Sequence, residues 1–438
     1  MIAYVAITIA ILALAALAVA TVRRLESSKE SAARAQLRDL EGMGEVVAGG
    51  RHPKIDPDRC IGSGACVAAC PEKGVLAIVK GRGVLANPLA CVGHGLCMDA
   101  CPVEAIQLVY GSKNIAVALP KTDEHYETNV PGLFVIGEAS GMGLIRNAIA
   151  HGRAASARIS GGARRGAGDV VDALVVGGGP SGIAATLGLM EAGLRVQLLD
   201  REVLGGTILH YPRAKLVMTG TLDFPIYGKV RTSTMSKEEL VALWNAIDEK
   251  VHLPFRPGEL VDEVAQNEDG TFEVHSTSGW TKAANVVLAL GRRGSPNKLG
   301  VPGEELSKVA YQLLEPREFA GKHTMVVGGG NSAVECAIAL ADEGTAASVS
   351  ISYRRGDFAR CRNENRERIR QLLDAGSVRP YLSTEITQIT EGHVRLRGRD
   401  GRLEDVVNDG LIVQIGGTPP SQLLQRFGIQ VVEKRGEA

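Results

Sequence analysis

The sequence of 438 residues has few aromatic residues and no excess charge. Phe, Tyr and Trp together make up 4% of it, and 49 basic residues balance 49 acidic ones. Nucleic-acid-binding proteins usually carry a basic stripe, and none stands out here, so the sequence predicts no nucleic-acid partner. Glycine is abundant, at 53 residues, as expected of a protein built on tight nucleotide-binding turns. The length predicts two or three domains.

Cysteine is nearly absent outside two runs of identical spacing, Cys-x5-Cys-x3-Cys-Pro, which hold six of the eight cysteines. Each run resembles the bacterial ferredoxin pattern C-x2-C-x2-C-x3-C-P, with Ser63 and His94 replacing the second cysteine. In that pattern the first three positions of a run hold one cluster, and the fourth position serves the other cluster. The resemblance implies two metal sites: Cys60, Ser63, Cys66 and Cys101 in one, and Cys91, His94, Cys97 and Cys70 in the other.

Each site has three cysteines and one other residue, Ser63 or His94, which leaves the cluster type open between [4Fe-4S] and [3Fe-4S]. A hydroxyl such as that of Ser63 is a poor iron ligand unless it is deprotonated. Histidine is a credible ligand, as in Rieske centres, where it raises the reduction potential. The alternative is a relic module that has lost its clusters and only docks a partner. Cysteines at this spacing in a reducing compartment favour metal over disulfides.

The first residues form an uncharged apolar run, 2–22, followed at once by Arg23 and Arg24. Its length matches a bilayer-spanning helix, and the following basic residues orient the remainder toward the cytoplasm. The sequence therefore predicts a transmembrane anchor at 1–24, a stalk at 25–50, and a single-pass inner-membrane protein with cytoplasmic catalytic domains. A cleaved signal peptide is the alternative, because Ala18-Val19-Ala20 resembles a cleavage site.

The cysteine runs repeat together with the residues that follow them. Each run precedes a short apolar segment, VLAIV at 75–79 and AIQLV at 105–109. This internal twofold resembles a dicluster ferredoxin and implies an α+β domain over 51–112.

A strand–turn–helix–strand pattern occupies 171–200. Its turn, Gly177-x-Gly179-x-x-Gly182, lets the backbone approach a pyrophosphate at the helix N-terminus. Asp200 ends the second strand, where an acid binds a ribose hydroxyl. The sequence predicts a dinucleotide site here.

A second copy of this pattern occupies 324–355, with the turn Gly328-x-Gly330-x-x-Ala333. Ser352-Tyr353 stands where an NAD site has an acid. Basic residues follow, which favours the 2′-phosphate of NADPH over NADH; they are Arg354, Arg355 and Arg360. The alternative is a solvated surface turn.

Two such units in tandem resemble the thioredoxin-reductase-like pyridine-nucleotide flavoproteins. The loop GGTILHYPRAKLVMT, 205–219, resembles that of the branch containing the bacillithiol-disulfide reductases. The resemblance covers 113–438. It implies FAD at the first turn, NADPH at the second, and a homodimer.

The chain departs from this family in its redox cysteines. The segment 309–322, where thioredoxin reductases carry Cys-x-x-Cys, has no cysteine, and Ser181 stands where the bacillithiol branch has one. A ferredoxin-like module is attached instead.

The order of segments also departs from the family. The element that closes the FAD domain near the C-terminus of the family stands early here, at 129–159, with Gly137 and with Glu138 in the aspartate's place. The interpretation is a circular permutation. It gives an FAD-binding domain at 113–292, with 113–160 as the permuted element, an NADPH-binding domain at 293–408, and a return to the FAD domain at 409–438.

The predicted fold is therefore α/β: two Rossmann-like three-layer domains, an α+β dicluster ferredoxin-like domain and one N-terminal transmembrane helix. The predicted function is electron transfer from NADPH through FAD to iron-sulfur clusters and a downstream acceptor. That acceptor is a redox partner protein or a quinone at the membrane. Hydride transfer needs no side-chain acid or base, so the sequence nominates no catalytic residue. The alternatives are a disulfide reductase and a non-enzymatic redox sensor or docking protein.

Overall fold

The computed structural model describes residues 2–41, 48, 50–162, 164–211, 213, 215–232, 234–291, 296–359, 361, 363–417 and 420–437, with backbone only at 2–11, 13, 15, 39–41, 218 and 363. The chain forms two compact units. The small unit comprises Met1–Val117 and Lys434–Ala438, and the large unit comprises Ala118–Glu433.

The small unit begins with one long helix, Ile2–Glu41. The backbone N–H of Lys80 donates to Glu30 Oε1 at 2.9 Å, which ties this helix to a hairpin of the cysteine-rich module. Ala33 is buried on the same helix. The predicted stalk is therefore helical as far as Glu41 and packs on the module.

The apolar part of this helix was predicted to cross a membrane. Among the residues that the structure describes, no helix is long and apolar enough to do so. Side chains of the predicted anchor at 2–11 lie outside the described set. This finding contradicts the predicted transmembrane anchor and the inner-membrane location derived from it.

The cysteine-rich module has the twofold pattern of the sequence. An antiparallel pair joins its ends, and a hairpin lies between them: His52–Ile55 with Ile106–Val109, and Leu76–Val79 with Arg82–Leu85. A short helix follows the first cysteine of each run, at Ala65–Ala69 and Leu96–Asp99. A 3-10 turn occupies Pro88–Ala90.

The chain's C-terminus closes the small unit. Tyr110 N–H donates to the Glu437 carbonyl at 2.8 Å, and Gly436 N–H donates to the Tyr110 carbonyl at 2.7 Å. The strands Val117–Pro120 and Val431–Lys434 mark the passages of the chain between the units.

The large unit contains two Rossmann subdomains. In the first, five parallel strands lie in the spatial order Phe255–Pro257, Val196–Asp200, Ala173–Val176, Val286–Leu288 and Leu133–Val135. One face is covered by the helices Ile145–Gly161, Pro180–Glu191 and Lys237–Val251. The other face is covered by the antiparallel strands Glu263–Gln266, Phe272–Ser276 and Gly279–Ala283. This subdomain therefore has three layers.

The second subdomain repeats the plan. Its parallel strands lie in the order Val309–Ala310, Gly410–Val413, His323–Val327, Ser348–Tyr353 and Arg379–Leu382. Helices Asn331–Glu343 and Asn363–Asp374 cover one face, and the strands Thr384–Ile389, His393–Gly398 and Leu403–Val407 cover the other. The buried strand Gly410–Val413 lies inside this sheet, beyond residue 408, where the sequence placed the return to the first subdomain.

The remaining elements of the large unit are short. They are the 3-10 helices Gly137–Ser140, Gly206–His210 and Pro316–Phe319, the strands Leu216–Met218, Leu222–Phe224, Gly228–Val230 and Thr234–Ser236, and the helix Ser421–Arg426. Local sequence fixes one helix start clearly: Ser236 accepts from Glu239 N–H, and Glu239 accepts from Ser236 N–H. This reciprocal cap satisfies two backbone donors.

Helix Ile145–Gly161 lies against helix Pro180–Glu191 at a glycine. A Cβ at Gly152 would overlap the Ser181 carbonyl oxygen and stand 2.7 Å from Ala185 N. Both obstacles are backbone atoms, so the helices would have to separate.

We expect Gly152→Ala to destabilise the large unit by about 1–3 kcal/mol, because overpacking a tight helix contact forces backbone shifts. Gly161→Ala is the matched control, since the same helix leaves its added Cβ with no atom within 4 Å. Chemical denaturation measures both. Equal stability of the two variants would contradict the contact.

Candidate functional site

The structure brings the first predicted cluster set to one cavity. Its lining includes Cys60, Ser63, Cys66 and Cys101. Two backbone N–H groups donate to its sulfurs: Gly83 to Cys60 Sγ at 3.3 Å, and Ala105 to Cys101 Sγ at 3.2 Å. Hydrogen bonds to the sulfurs are one of the means by which proteins tune iron-sulfur clusters.

The second set lines another cavity, which includes Cys70, Cys91, His94 and Cys97. Each cavity therefore takes three residues from one run and one cysteine from the other.

Glycines shape the loops around both cavities. Gly62 and Gly93 have φ of 70° and 76°, and a Cβ at either would overlap a backbone carbonyl oxygen, of Gly81 or Arg51. These loops therefore fold tightly around the cavities only because the residues flanking Ser63 and His94 are glycine.

The two positions that lack a cysteine, Ser63 and His94, differ in exposure. Ser63 is exposed, and its Oγ accepts a hydrogen bond from Ala65 N–H at 3.5 Å. His94 is half-buried. The two cavities consequently differ in the type of side chain at this position and in its access to water.

The buried thiols are difficult to ionise unless a positive charge lies nearby. Burial, followed by the nearby Cys91 and Cys70, raises the pKa of the Cys97 thiol to about 11. Burial also raises the pKa of Cys66, Cys70 and Cys91. Positive iron would stabilise these thiolates.

Within the described part of the chain, no three His, Cys, Asp or Glu side chains stand close enough to hold a single metal ion. An iron-sulfur cluster does not need its ligands to converge on one point, because each ligand binds a different iron atom. Thiolates arranged around a cavity therefore fit a cluster rather than a mononuclear site.

The first glycine turn leaves open space for a phosphate. Gly177, at φ 116°, and Gly182 would each overlap a backbone carbonyl oxygen if they carried a Cβ, of Ala289 and Gly177 respectively. A Cβ at Gly179 would meet nothing within 4 Å. The helix begins immediately after Gly179, so its N-terminus faces that space.

Asp200 lies beside this turn. Its carboxylate accepts hydrogen bonds from the backbone N–H groups of Gly178 and Glu202. Burial raises the pKa of this carboxyl, and the two N–H groups oppose that effect.

Gly137 also reaches the first turn. It has φ of 73°, and a Cβ there would stand 2.5 Å from Ser181 Oγ. Glu138 follows it, half-buried in the 3-10 helix Gly137–Ser140. The structure thus brings together the predicted residues from 137–138 and 177–200.

His151 is a further residue of this site, and the sequence patterns did not single it out. It is 2% exposed, stacks on Tyr126 with a centroid distance of 4.1 Å, and its Nδ1 lies 3.3 Å from Gly137 N–H as acceptor. A histidine among the small residues of its helix was the available signal. It supports the loop that carries Glu138.

The second turn repeats the first. A Cβ at Gly328, φ 136°, would overlap the Gln414 carbonyl oxygen, whereas one at Gly330 would meet nothing within 4 Å. Ala333 is fully buried where the third glycine of the pattern stands. The helix N-terminus again faces open space.

The predicted phosphate-binding arginines follow the neighbouring strand. Arg354 is exposed and Arg355 half-buried, and neither pairs with a carboxylate among the described residues. The nearby Asp357 pairs with Arg370 at 3.6 Å. Arg360 lies outside the described residues.

Comparison with known families identifies two parts of the chain. Residues 174–437 match the family described as pyridine nucleotide-disulphide oxidoreductase, which is more than half of the chain. Residues 52–102 match the 4Fe-4S dicluster domain.

Individual relatives cover the reductase part. Bacilliredoxin reductase Bdr of Bacillus subtilis is 24% identical over 269 residues, 60% of this chain and 82% of that protein. Ferredoxin–NADP reductase 1 of Bacillus licheniformis is 27% identical over 277 residues, 60% of this chain and 74% of that protein. The structure of bacillithiol disulfide reductase Bdr (YpdA) from Staphylococcus aureus has a TM-score of 0.53 at 23% identity, covering 60% of this chain and 81% of its own. That last likeness concerns the fold.

We expect Cys97→Ser to lower the iron bound per protein, because it removes a thiolate from the second cavity. Cys336→Ser is the matched control, since Cys336 is a buried cysteine outside both runs. Iron quantitation on anaerobically purified protein measures both. Equal iron in the two variants would contradict the second site.

The variants Ser63→Cys and His94→Cys test whether these two side chains bind iron. If the side chain is an iron ligand, the change to sulfur should alter the electron paramagnetic resonance (EPR) spectrum of that cluster. An unchanged spectrum would show that the replaced side chain was not a ligand.

The predicted resemblance to this flavoprotein family with a dicluster domain and the predicted cofactors are confirmed, whereas the circular permutation stays a prediction. The enzyme uses FAD and NADPH and carries iron-sulfur clusters. The chain belongs to the pyridine nucleotide-disulphide oxidoreductase family, as a flavoprotein oxidoreductase with an added dicluster iron-sulfur domain.

Proposed function

We propose that the protein passes electrons from NADPH through FAD to its own iron-sulfur clusters and then to a redox partner protein. The observation that carries this proposal is the convergence of each predicted ligand set on one cavity. Relatives that match the reductase part include ferredoxin–NADP reductases. Here a ferredoxin-like module is part of the same chain, which supports this module as the acceptor of electrons from the flavin.

The positions of the remaining cysteines support this function over disulfide reduction. Only Cys336 and Cys361 lie outside the two runs, and they are 3% and 0% exposed. Ser181, at the flavin turn, has no thiol. A buried cysteine cannot attack an external disulfide, because the attacking thiolate must reach the sulfur of its target.

The residues of the chain would bind and orient the cofactors. The open space at Gly179 and Gly330 admits the pyrophosphate groups, and Asp200 would accept hydrogen bonds from the FAD ribose. Arg354 and Arg355 would bind the 2′-phosphate of NADPH. When bound, FAD would supply the conversion of a hydride into single electrons, and clusters held by the two cysteine sets would carry them onward.

The circular permutation belongs to this proposal. Strand Leu133–Val135 pairs with Val286–Leu288 at the edge of the first sheet of the same chain, which supports 113–160 as the closing element. Lys121 N–H donates to the Gln430 carbonyl at 2.8 Å, and a Cβ at Gly436 would stand 3.8 Å from Lys113 N. Residues 430–436 thus lie near the start of 113–160, which supports the permutation.

An anaerobic NADPH titration tests the proposed route. We expect the flavin absorbance to bleach first and a reduced-cluster EPR signal to follow, in protein with quantified iron. Bleaching without any cluster signal in iron-loaded protein would contradict the route. Rapid NADPH-dependent reduction of a chromogenic disulfide would favour the disulfide reductase.

Removing the arginines tests the choice of nucleotide. We expect Arg354→Ala and Arg355→Ala each to raise KM for NADPH about tenfold or more, because each removes a hydrogen bond to a charged group. KM for NADH should change little. Arg399→Ala is the control, an exposed arginine of the same subdomain outside the turn. If all three variants kept the wild-type KM, the arginines would not bind the phosphate.

A further inference from the structure

The two Rossmann subdomains have matching residues at the end of their second strands. Gly177 N–H donates to the Leu199 carbonyl at 2.7 Å, and Gly328 N–H donates to the Ser352 carbonyl at 2.9 Å. The next residues, Asp200 and Tyr353, therefore stand at equivalent positions.

Both side chains contact the middle glycine of their turn. The Asp200 carboxylate accepts a hydrogen bond from Gly178 N–H. The Tyr353 ring lies on Gly329 so closely that a Cβ there would overlap the ring carbons. An aromatic ring thus takes the place of the carboxylate beside the nucleotide turn.

The ring is fixed in position by its surroundings. Phe358 stacks on it with a centroid distance of 5.8 Å and an interplanar angle of 11°. Tyr353 is 6% exposed, and its ring packs in the buried core of the second subdomain. A ring held on both sides loses little freedom when a ligand binds.

The hydroxyl of this ring has no hydrogen-bond partner among the residues that the structure describes. Tyr353 Oη is buried and makes no hydrogen bond within the described part of the chain. A buried hydroxyl without a partner is unfavourable, and buried tyrosines usually find one.

We propose that Tyr353 determines nucleotide specificity by donating a hydrogen bond from Oη to the 2′-phosphate of NADPH. The inference rests on the proposed NADPH site. A carboxylate here could only accept hydrogen bonds and would repel the phosphate, whereas a phenol donates one. Tyr353 thereby complements Arg354 and Arg355, which supply charge.

Binding of two adenine nucleotides to the oxidised full-length holoprotein tests this role. Adenosine 2′,5′-bisphosphate carries the 2′-phosphate and 5′-AMP does not. We expect Tyr353→Phe to weaken binding of the bisphosphate about tenfold in isothermal calorimetry, and to change 5′-AMP binding less than about twofold. Tyr353→Asp should reduce the preference further, because it restores a repelling acid.

Tyr381→Phe is the matched control, a buried tyrosine on the adjacent strand. It should keep both affinities, and flavin content should be equal in all variants. An unchanged preference for the bisphosphate in Tyr353→Phe would overturn the role of Tyr353 while leaving the NADPH site intact. Equal affinity of the wild type for both nucleotides would overturn the NADPH site itself, and the role of Tyr353 with it.

Discussion

Each predicted nucleotide site depends on one close backbone contact between a glycine turn and a neighbouring strand. Gly177 packs on the carbonyl of Ala289, and Gly328 packs on that of Gln414. Any side chain at these glycines would push the turn away from the sheet. Because the contact is made, the helix that follows starts at the carboxyl edge of the sheet and directs its free N–H groups at the same space. The open positions Gly179 and Gly330 and the residues at the strand ends then surround that space.

The cysteine-rich module buries several thiols although its apolar core is small. Its core cluster includes Cys66 and Cys97 among a few aliphatic residues. Domains of fewer than about 70 residues rarely gain much stability from their apolar core, and many add disulfides or a structural metal. Burial keeps the thiols protonated in the absence of cations, so cluster binding and stability of the module are coupled through the same sulfurs.

The two cluster sites are alike in plan and unlike in detail. The first has an exposed Ser63, and the second has a half-buried His94. Solvent exposure is one of the factors that set cluster potentials. Repetition of one motif therefore yields two cavities with different surroundings in a single small module.

The sequence by itself determined the features that depend on local spacing. The cysteine intervals predicted which residues share a cavity, and the glycine turns predicted two Rossmann subdomains, because both patterns are complete within a short stretch of chain. Local hydropathy was misleading at the N-terminus: the run at 2–22 predicted a membrane anchor, which the described helix contradicts. The tertiary structure alone decided the contacts between distant segments. Examples are His151 behind the loop of Glu138, Gly152 against the Ser181 carbonyl, and the ring of Tyr353 on Gly329. These contacts depend on how the helices and strands pack, and side chains of the same type occur throughout the sequence without making them.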